Sequence, residues 1–195
     1  RIAIYAARHE SDKIRWVPPT QEQDAIKDLI ALRKRLMLSK NMLQVPMKEL
    51  EAMEEHARAK LVKSHSQKAI KTIDLEIEKV EEAIRELIKR QPAVAKNISL
   101  IKTIPGVGMW TALEMVCTTD NFSRLTKPKQ LACHCGCAPF EHTSGTSVKG
   151  RTRVNSMANK SLKTLLTMCA ISTINSKNDL GSDYQRKVSE GNNKM

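Results

Sequence analysis

Residues Gly136 to Gly145 read Gly-Cys-Ala-Pro-Phe-Glu-His-Thr-Ser-Gly and hold the first candidate for chemistry. Gly136 is expected to stop a helical segment, Pro139 bars its continuation, and Thr143-Ser144-Gly145 should follow on a loop. From His142 to Asn178 there is no acid, against six bases: Lys149, Arg151, Arg153, Lys160, Lys163 and Lys177. A hydroxyl on a glycine-flanked loop that feeds a basic segment suits a nucleophile presented to an anionic substrate. Ser144 is the first candidate, with Thr143 and Ser147 of the same chemistry beside it. The competing reading is an ordinary polar loop that caps the next helix. A serine hydroxyl is a poor nucleophile unless a base or cationic field activates it, and His142, Lys149 and Arg151 are the groups near enough in sequence.

Two further stretches raise specific chemistry. Cys133-His134-Cys135-Gly136-Cys137 suggests zinc, yet it lacks Cys-x-x-Cys pairs and has no second ligand pair at finger spacing. Small thiols lining a packed helix end are the preferred reading, so no metal site is assigned. Ile104-Pro105-Gly106-Val107-Gly108 lies between two short apolar helices and gives the pattern of a helix-hairpin-helix. Gly106 and Gly108 would permit positive φ and leave backbone N–H groups facing a phosphate of a duplex, with Lys102 beside them. A tight helix–helix corner that binds nothing is the alternative. Arg151, Arg153, Lys160 and Lys163 read in the same two ways, as a phosphate-binding rim or as a solvated basic face.

The elements that must position these groups are helical. Among 195 residues only 3% are aromatic, and the apolar ones are mainly Leu, Ile, Val, Ala and Met, which favours packed helices over a sandwich or barrel. Arg1 to Glu10 reads as the end of an amphipathic helix, and Trp16-Val17-Pro18-Pro19 as an extended linker. Thr20 and Gln23 form a capping-box pattern that opens a helix with a stripe at Ile26, Leu29, Ile30, Leu36, Met37 and Leu43. Pro46 is expected to interrupt that helix, and Ser64-His65-Ser66 to mark a bend. Ile70, Ile73, Ile77, Val80, Ile84 and Leu87 then follow a 3-4-3-4-3 spacing, an a/d seam that ends before Pro92. An intramolecular antiparallel hairpin or intermolecular pairing would each satisfy the two stripes. Further on, Asp120-Asn121-Phe122 reads as a loop, Ser147 to Val154 as a loop or a hairpin around Gly150, and Asn155 to Ile174 as a helix. A polar stretch follows Asn175.

The formal net charge of +12 points to a polyanionic partner, nucleic acid before acidic membrane. Two Tyr, two Phe and two Trp are too few for a base-stacking platform, so phosphate contact is the expected mode. Five Cys, an odd number, and no secretory leader fit a reducing cytosol. No apolar run approaches transmembrane length.

The order of these pieces resembles the C-terminal part of transposases of the insertion-sequence one-ten family, relatives of the Piv-type DNA invertases. The matching residues are Ile104-Pro-Gly-Val-Gly, Thr111-Ala112, Asp120 with Phe122, Leu131-Ala132 through Gly136-Cys-Ala-Pro139, Ser144-Gly145, Arg153-Val154, and Asn159 with Leu162-Lys163. The resemblance implies a bacterial, cytoplasmic DNA recombinase with a RuvC-like nuclease domain carrying four metal-binding acids and Mg, a coiled-coil spacer, and a C-terminal domain. In that domain Ser144 would attack a DNA phosphodiester. Duplex DNA is the implied partner, with a bridge RNA as a second and a homo-oligomer formed through the coiled coil. Lys102, Gly106, Gly108, Lys149, Arg151, Arg153, Asn159 and Lys160 become the expected DNA contacts. The implied organisation is a tail of the RuvC-like domain plus linker at 1–19, coiled-coil helices at 20–92, the transposase domain at 93–180 and a polar tail at 181–195. The metal-binding acids would precede Arg1; Asp12 and Asp24 are not promoted to that role. Ser156-Met157-Ala158 departs from the Lys-Arg-Gly of many relatives, and a final helix usual in the family is expected to be absent or short. A non-catalytic helix-hairpin-helix clamp and a coiled-coil dimerisation protein are the alternatives.

Overall fold

The computed structural model describes residues 2–8, 18, 20–144, 148–176 and 178–191. Asp12, the Trp16-Val17 and Pro19 positions of the linker, Gly145 and Ser147 lie outside them. The described chain is mainly α, with one two-stranded antiparallel ribbon. Helix α1 spans Ile2–Arg8. Helices α2 (Gln21–Ala52) and α3 (His56–Lys89) pack against each other as a hairpin, so the two stripes close within one chain.

Thr20 starts α2 with the expected capping box: its hydroxyl accepts from the Gln23 N–H, and the Gln23 side chain accepts from the Thr20 N–H. The turn between α2 and α3 is made at Met53 to Glu55, with Glu54 in the left-handed region at φ 62°. Ile26 and Ile30 of α2 are buried with Ile70, Ile77, Val80, Ile84 and Ile88 of α3, whereas Ile73 and Leu87 are only half-buried and Met37 is exposed. Arg33 bonds Glu81 at 2.7 Å and Lys40 bonds Asp74 at 2.5 Å across the hairpin.

Two expected interruptions do not occur. Pro46 sits inside α2, on its exposed side, and the helix runs six residues beyond it to Ala52. The ring forfeits the N–H that would bond the Met42 carbonyl, but Met42 is itself exposed and water can satisfy that oxygen. Ser64, His65 and Ser66 also stay helical, because the two hydroxyls bond back to the Leu61 and Val62 carbonyls instead of opening the turn.

The remaining helices are α4 (Pro92–Ile101), α5 (Met109–Thr118), α6 (Pro128–His134), α7 (Lys160–Ile174) and α8 (Asp179–Ser189). Strands β1 (Phe140–Ser144) and β2 (Val148–Arg153) lie between α6 and α7. Thr143 and Ser144, read as loop, therefore end a strand, and Gly150 lies mid-strand and not at the turn. The stretch read as a polar tail contains α8, capped by Asn178 and laced by Arg186 ion pairs to Asp183 and Glu190. Its polar composition hid a Leu180, Tyr184, Val188 stripe at four-residue spacing.

One hydrophobic cluster joins the root of the α2–α3 hairpin to the later helices. It contains Ile26, Ile30, Ile84 and Ile88 together with Val94, Ile98, Leu113, Val116, Cys135 and Leu162. The distal half of the hairpin projects from this cluster, and Leu38, Met42, Val45, Met53 and Leu61 are exposed there.

Pro46→Ala should leave the fold intact and stabilise it, by up to about 3 kcal/mol if the propensity difference is fully realised. Chemical denaturation of both chains checks this, with an increased unfolding midpoint expected.

Candidate functional site

Helix α7 positions both groups of candidate residues, one at each end. At its N-terminus Asn159 is the cap: its Oδ1 accepts from the Leu162 N–H at 3.0 Å, and its own N–H donates to the His134 carbonyl at 2.8 Å. Leu162 is fully buried beneath it. Gly136 ends α6 at φ +68°, and a Cβ there would lie 2.8 Å from Ala158 Cβ and 3.0 Å from Val154 Cγ1. The end of α6, the exit of β2 and the entry of α7 are thus pinned together at a glycine, which explains the stop read from sequence.

The ribbon leaves from this junction. Phe140 pairs with Arg153, His142 with Gly150, Thr143 with Lys149 and Ser144 with Val148, with an irregularity between Phe140 and His142. Ser144 is the last residue of β1, at the distal end of the ribbon. Arg151 and Arg153 are exposed on β2, Lys149 lies on the same strand, and Lys160 is exposed at the first position of α7. Of the two readings of Ser147 to Val154, loop or hairpin around Gly150, the stretch supplies one strand of a hairpin whose partner is β1, a strand not expected because its residues are mostly polar.

The other group lies at the far end of α7. Lys102 caps the C-terminus of α4 and is exposed. Gly106 has φ +80°, as expected, but what demands glycine is a close approach to α7: a Cβ would collide with Thr173 Oγ1 and lie 2.6 Å from the Cys169 carbonyl. The Thr173 hydroxyl donates to the Pro105 carbonyl at 2.7 Å. Gly108 has an ordinary φ of −86°, caps α5 from open space, and so departs from the expected positive φ. Lys160 and Thr173 are thirteen residues apart on α7, about 20 Å. Ser144 and Lys149 lie toward the distal end of the ribbon, Arg153, Asn159 and Lys160 lie at its root, and Lys102, Gly106 and Gly108 lie at the far end of α7.

A third feature had no signal in the periodicity. Three cations of α2 dock on the α5 region: Lys27 bonds Asp120 at 2.7 Å, Lys34 bonds Glu114 at 2.7 Å, and the Arg33 guanidinium lies 3.8 Å from the Trp110 ring centre. Lys34 also reaches the Ser161 hydroxyl in the first turn of α7, at 3.2 Å. Asp120, Asn121 and Phe122 all have positive φ, and this left-handed turn is held by the buried Thr119 hydroxyl, which accepts from the Phe122 N–H. Burial acts to raise the Asp120 carboxyl, but hydrogen bonds and charges from Lys27 and Arg124 outweigh it and hold its pKa below the usual value. Lys27 is raised: burial opposes the shift, and the Asp120 bond and charge outweigh that.

Cys135 is buried, Cys117, Cys133 and Cys169 are half-buried, and Cys137 is exposed. Burial pushes Cys135 up to about 11, with Cys137 adding to it, and Cys117 up to about 12, with Glu114 adding to it. Among the described residues no group of three or more His, Cys, Asp or Glu is placed to hold a metal ion. None of the described helices is long and apolar enough to cross a membrane.

The Transposase IS116/IS110/IS902 family matches over residues 98–185. That segment is similar to the family and makes up a little under half of the chain. The matched segment starts within α4 and ends within α8, and so contains the Pro-Gly turn, the ribbon and all of α7. The chain is also 29% identical over 121 residues to the pilin gene-inverting proteins of Moraxella bovis and Moraxella lacunata, covering 62% of this chain. It spans 38% of the length of each. The root of α2, outside the matched segment, supplies the cations that grip it.

Because the Asp120 carboxyl is lowered in the folded protein, its contribution to stability is present above the unfolded value near 3.9 and is lost as pH falls through the folded value. Unfolding midpoints measured over roughly pH 2 to 6 should fall less steeply toward acid for Asp120→Asn than for the unaltered chain.

Proposed function

We propose that the chain is the C-terminal part of a DNA recombinase in which Ser144 is the nucleophile. The observation that carries the reading is the family match over residues 98–185, with Ser144 ending a strand inside a segment free of acid from His142 to Asn178. The Ser144 oxygen attacks a backbone phosphorus, the P–O bond to one strand end breaks, that strand leaves as a free hydroxyl carrying a proton equivalent to the one serine loses, and the phosphate stays on the enzyme through a serine ester. Lys149, Arg151 and Arg153 on β2 and Lys160 on α7 supply the positive field that favours the charge built up on phosphorus. Two relatives named for gene inversion support strand exchange as the outcome.

The same reading assigns the metal-binding acids and their Mg to a RuvC-like domain of the whole protein. The partners are duplex DNA and a bridge RNA, the setting is the bacterial cytoplasm, and copies assemble through the hairpin. Exposed Leu38, Met42, Val45, Met53 and Leu61 on its distal half support that assembly. The α4–α5 corner serves as a helix-hairpin-helix clamp on duplex phosphate, with Lys102 at its edge and Gly106 committed to its packing on α7.

In the whole protein, Ser144→Ala should abolish strand exchange while leaving DNA affinity within about twofold. Exchange near the unaltered rate would reduce Ser144 to a ribbon residue and leave the segment as a clamp. The 195-residue chain by itself should bind duplex DNA with an affinity that falls steeply as salt rises and should leave it uncut with Mg present. Metal-dependent cleavage by this chain would contradict the division of labour.

A further inference from the structure

Beside the ribbon lies an open notch of about 440 Å³ lined by Phe140, Arg153, Val154, Asn155 and Ser156. Its size is within the range of ligand clefts, roughly 300–1,000 Å³. Phe140 is 45% exposed on its rim. Resting on the nucleic-acid reading above, we infer that this notch receives one unpaired base of a bound strand, stacked on the Phe140 ring.

Three observations converge on that occupant. Phe140 faces Arg153 across the ribbon, so a flat apolar ring and a guanidinium border the same space. Aromatic faces stack any base, and arginine adds attraction for both the base and its phosphate. The pairing irregularity falls between Phe140 and His142; counting residues, the extra one is on β2, and bulges of this kind re-aim neighbouring side chains. Val154 gives the notch a second apolar wall, fixed from behind by its contact with the Gly136 turn.

The polar rim fits a base edge. Asn155 Oδ1 is taken by the Met157 N–H at 2.9 Å, so what the side chain offers a ligand is its amide N–H donors. Ser156 offers a hydroxyl. Charge supports an anionic strand and not an apolar peptide, since Arg151, Arg153, Lys160 and Lys163 surround the junction with no acid from His142 to Asn178. Glu141 adjoins Phe140 in sequence, but strand alternation sends it to the opposite face.

Position gives the contact its use. Phe140 and Ser144 are four residues apart on β1, about 13 Å. Strand charges recur every 3.4 Å along a duplex, so a base captured by Phe140 lies within about four steps of the phosphate attacked by Ser144, fewer if the strand is extended. Capturing an unpaired base sets the register of the strand at the nucleophile, an effect that contact with phosphates alone does not provide. A single aromatic is sufficient for this, although the chain is too poor in aromatics for a multi-base platform.

The test measures binding of this chain to short duplexes that are fully paired or carry a one-nucleotide gap exposing 2-aminopurine, with the exposed base in a DNA strand or in an RNA strand. The gapped forms should bind more tightly, and the reporter's emission should fall on binding. Phe140→Ala should remove about tenfold of the gapped affinity and the emission change, with paired duplex altered less than twofold. Phe140→Trp should restore both. The DNA and RNA arms identify which strand supplies the base. Undiminished preference for the gap in Phe140→Ala, with an unchanged circular dichroism melt, overturns the inference alone. Absence of salt-dependent binding to every duplex overturns it together with the nucleic-acid reading.

Discussion

The burial of Ile26 and Ile30 in the cluster shared with α3, α5 and α7 is the constraint on which the rest of the molecule depends. Those two side chains belong to the first turns of a helix 32 residues long, and they share a cluster with Leu113 and Leu162. Burying a large aliphatic side chain is worth about 1.5–3 kcal/mol, whereas exposed ion pairs are worth about 0–1 kcal/mol. The apolar contact therefore fixes where α2 sits. Lys27, Arg33 and Lys34 then fix its rotation, each meeting a different partner around α5. A projecting two-helix stalk is thereby joined at its root to the matched segment, while among the described elements its distal half packs on its partner helix.

Helix α7 imposes the second constraint. Its N-terminus holds the Gly136 junction and the ribbon, and its C-terminal half receives the Gly106 turn. Both glycines are needed where backbone or side chains of the α7 region come too close for a Cβ. The two basic groups are consequently held about 20 Å apart along one rigid element. Under the proposed function, a strand end carrying Ser144 and a corner carrying Lys102 would meet separate places on a long polyanion.

Much of this was legible in the residues, wherever the signal was local chemistry. Thr20 and Gln23 gave the cap, the isoleucine spacing from Ile70 gave the face of α3, and Gly136 with Pro139 gave the end of α6. The mainly α class follows from the same stripes, whereas their closure within one chain is settled by the packing of α2 on α3. The failures came where a local rule met a tertiary or solvent compensation. Pro46 is tolerated because its cost falls on an exposed carbonyl, and Ser64 and Ser66 because their hydroxyls return to the helix. Strand β1 was hidden by its polar residues, α8 by polar composition, and the grip of Lys27 and Lys34 by partners more than 75 residues away. Phe140 passed unnoticed because a count of aromatics says nothing about where one of them sits.

The central claim is that Ser144 forms a bond to DNA. The most direct measurement is to incubate the whole protein with Mg and a nicked substrate that traps covalent intermediates, digest the product and locate the attached nucleotide by mass spectrometry. The account predicts that the peptide containing Ser144 carries the nucleotide on that serine. A nucleotide on Thr143, on Ser147 or on any residue outside the ribbon, or strand exchange with no adduct at all, would contradict it.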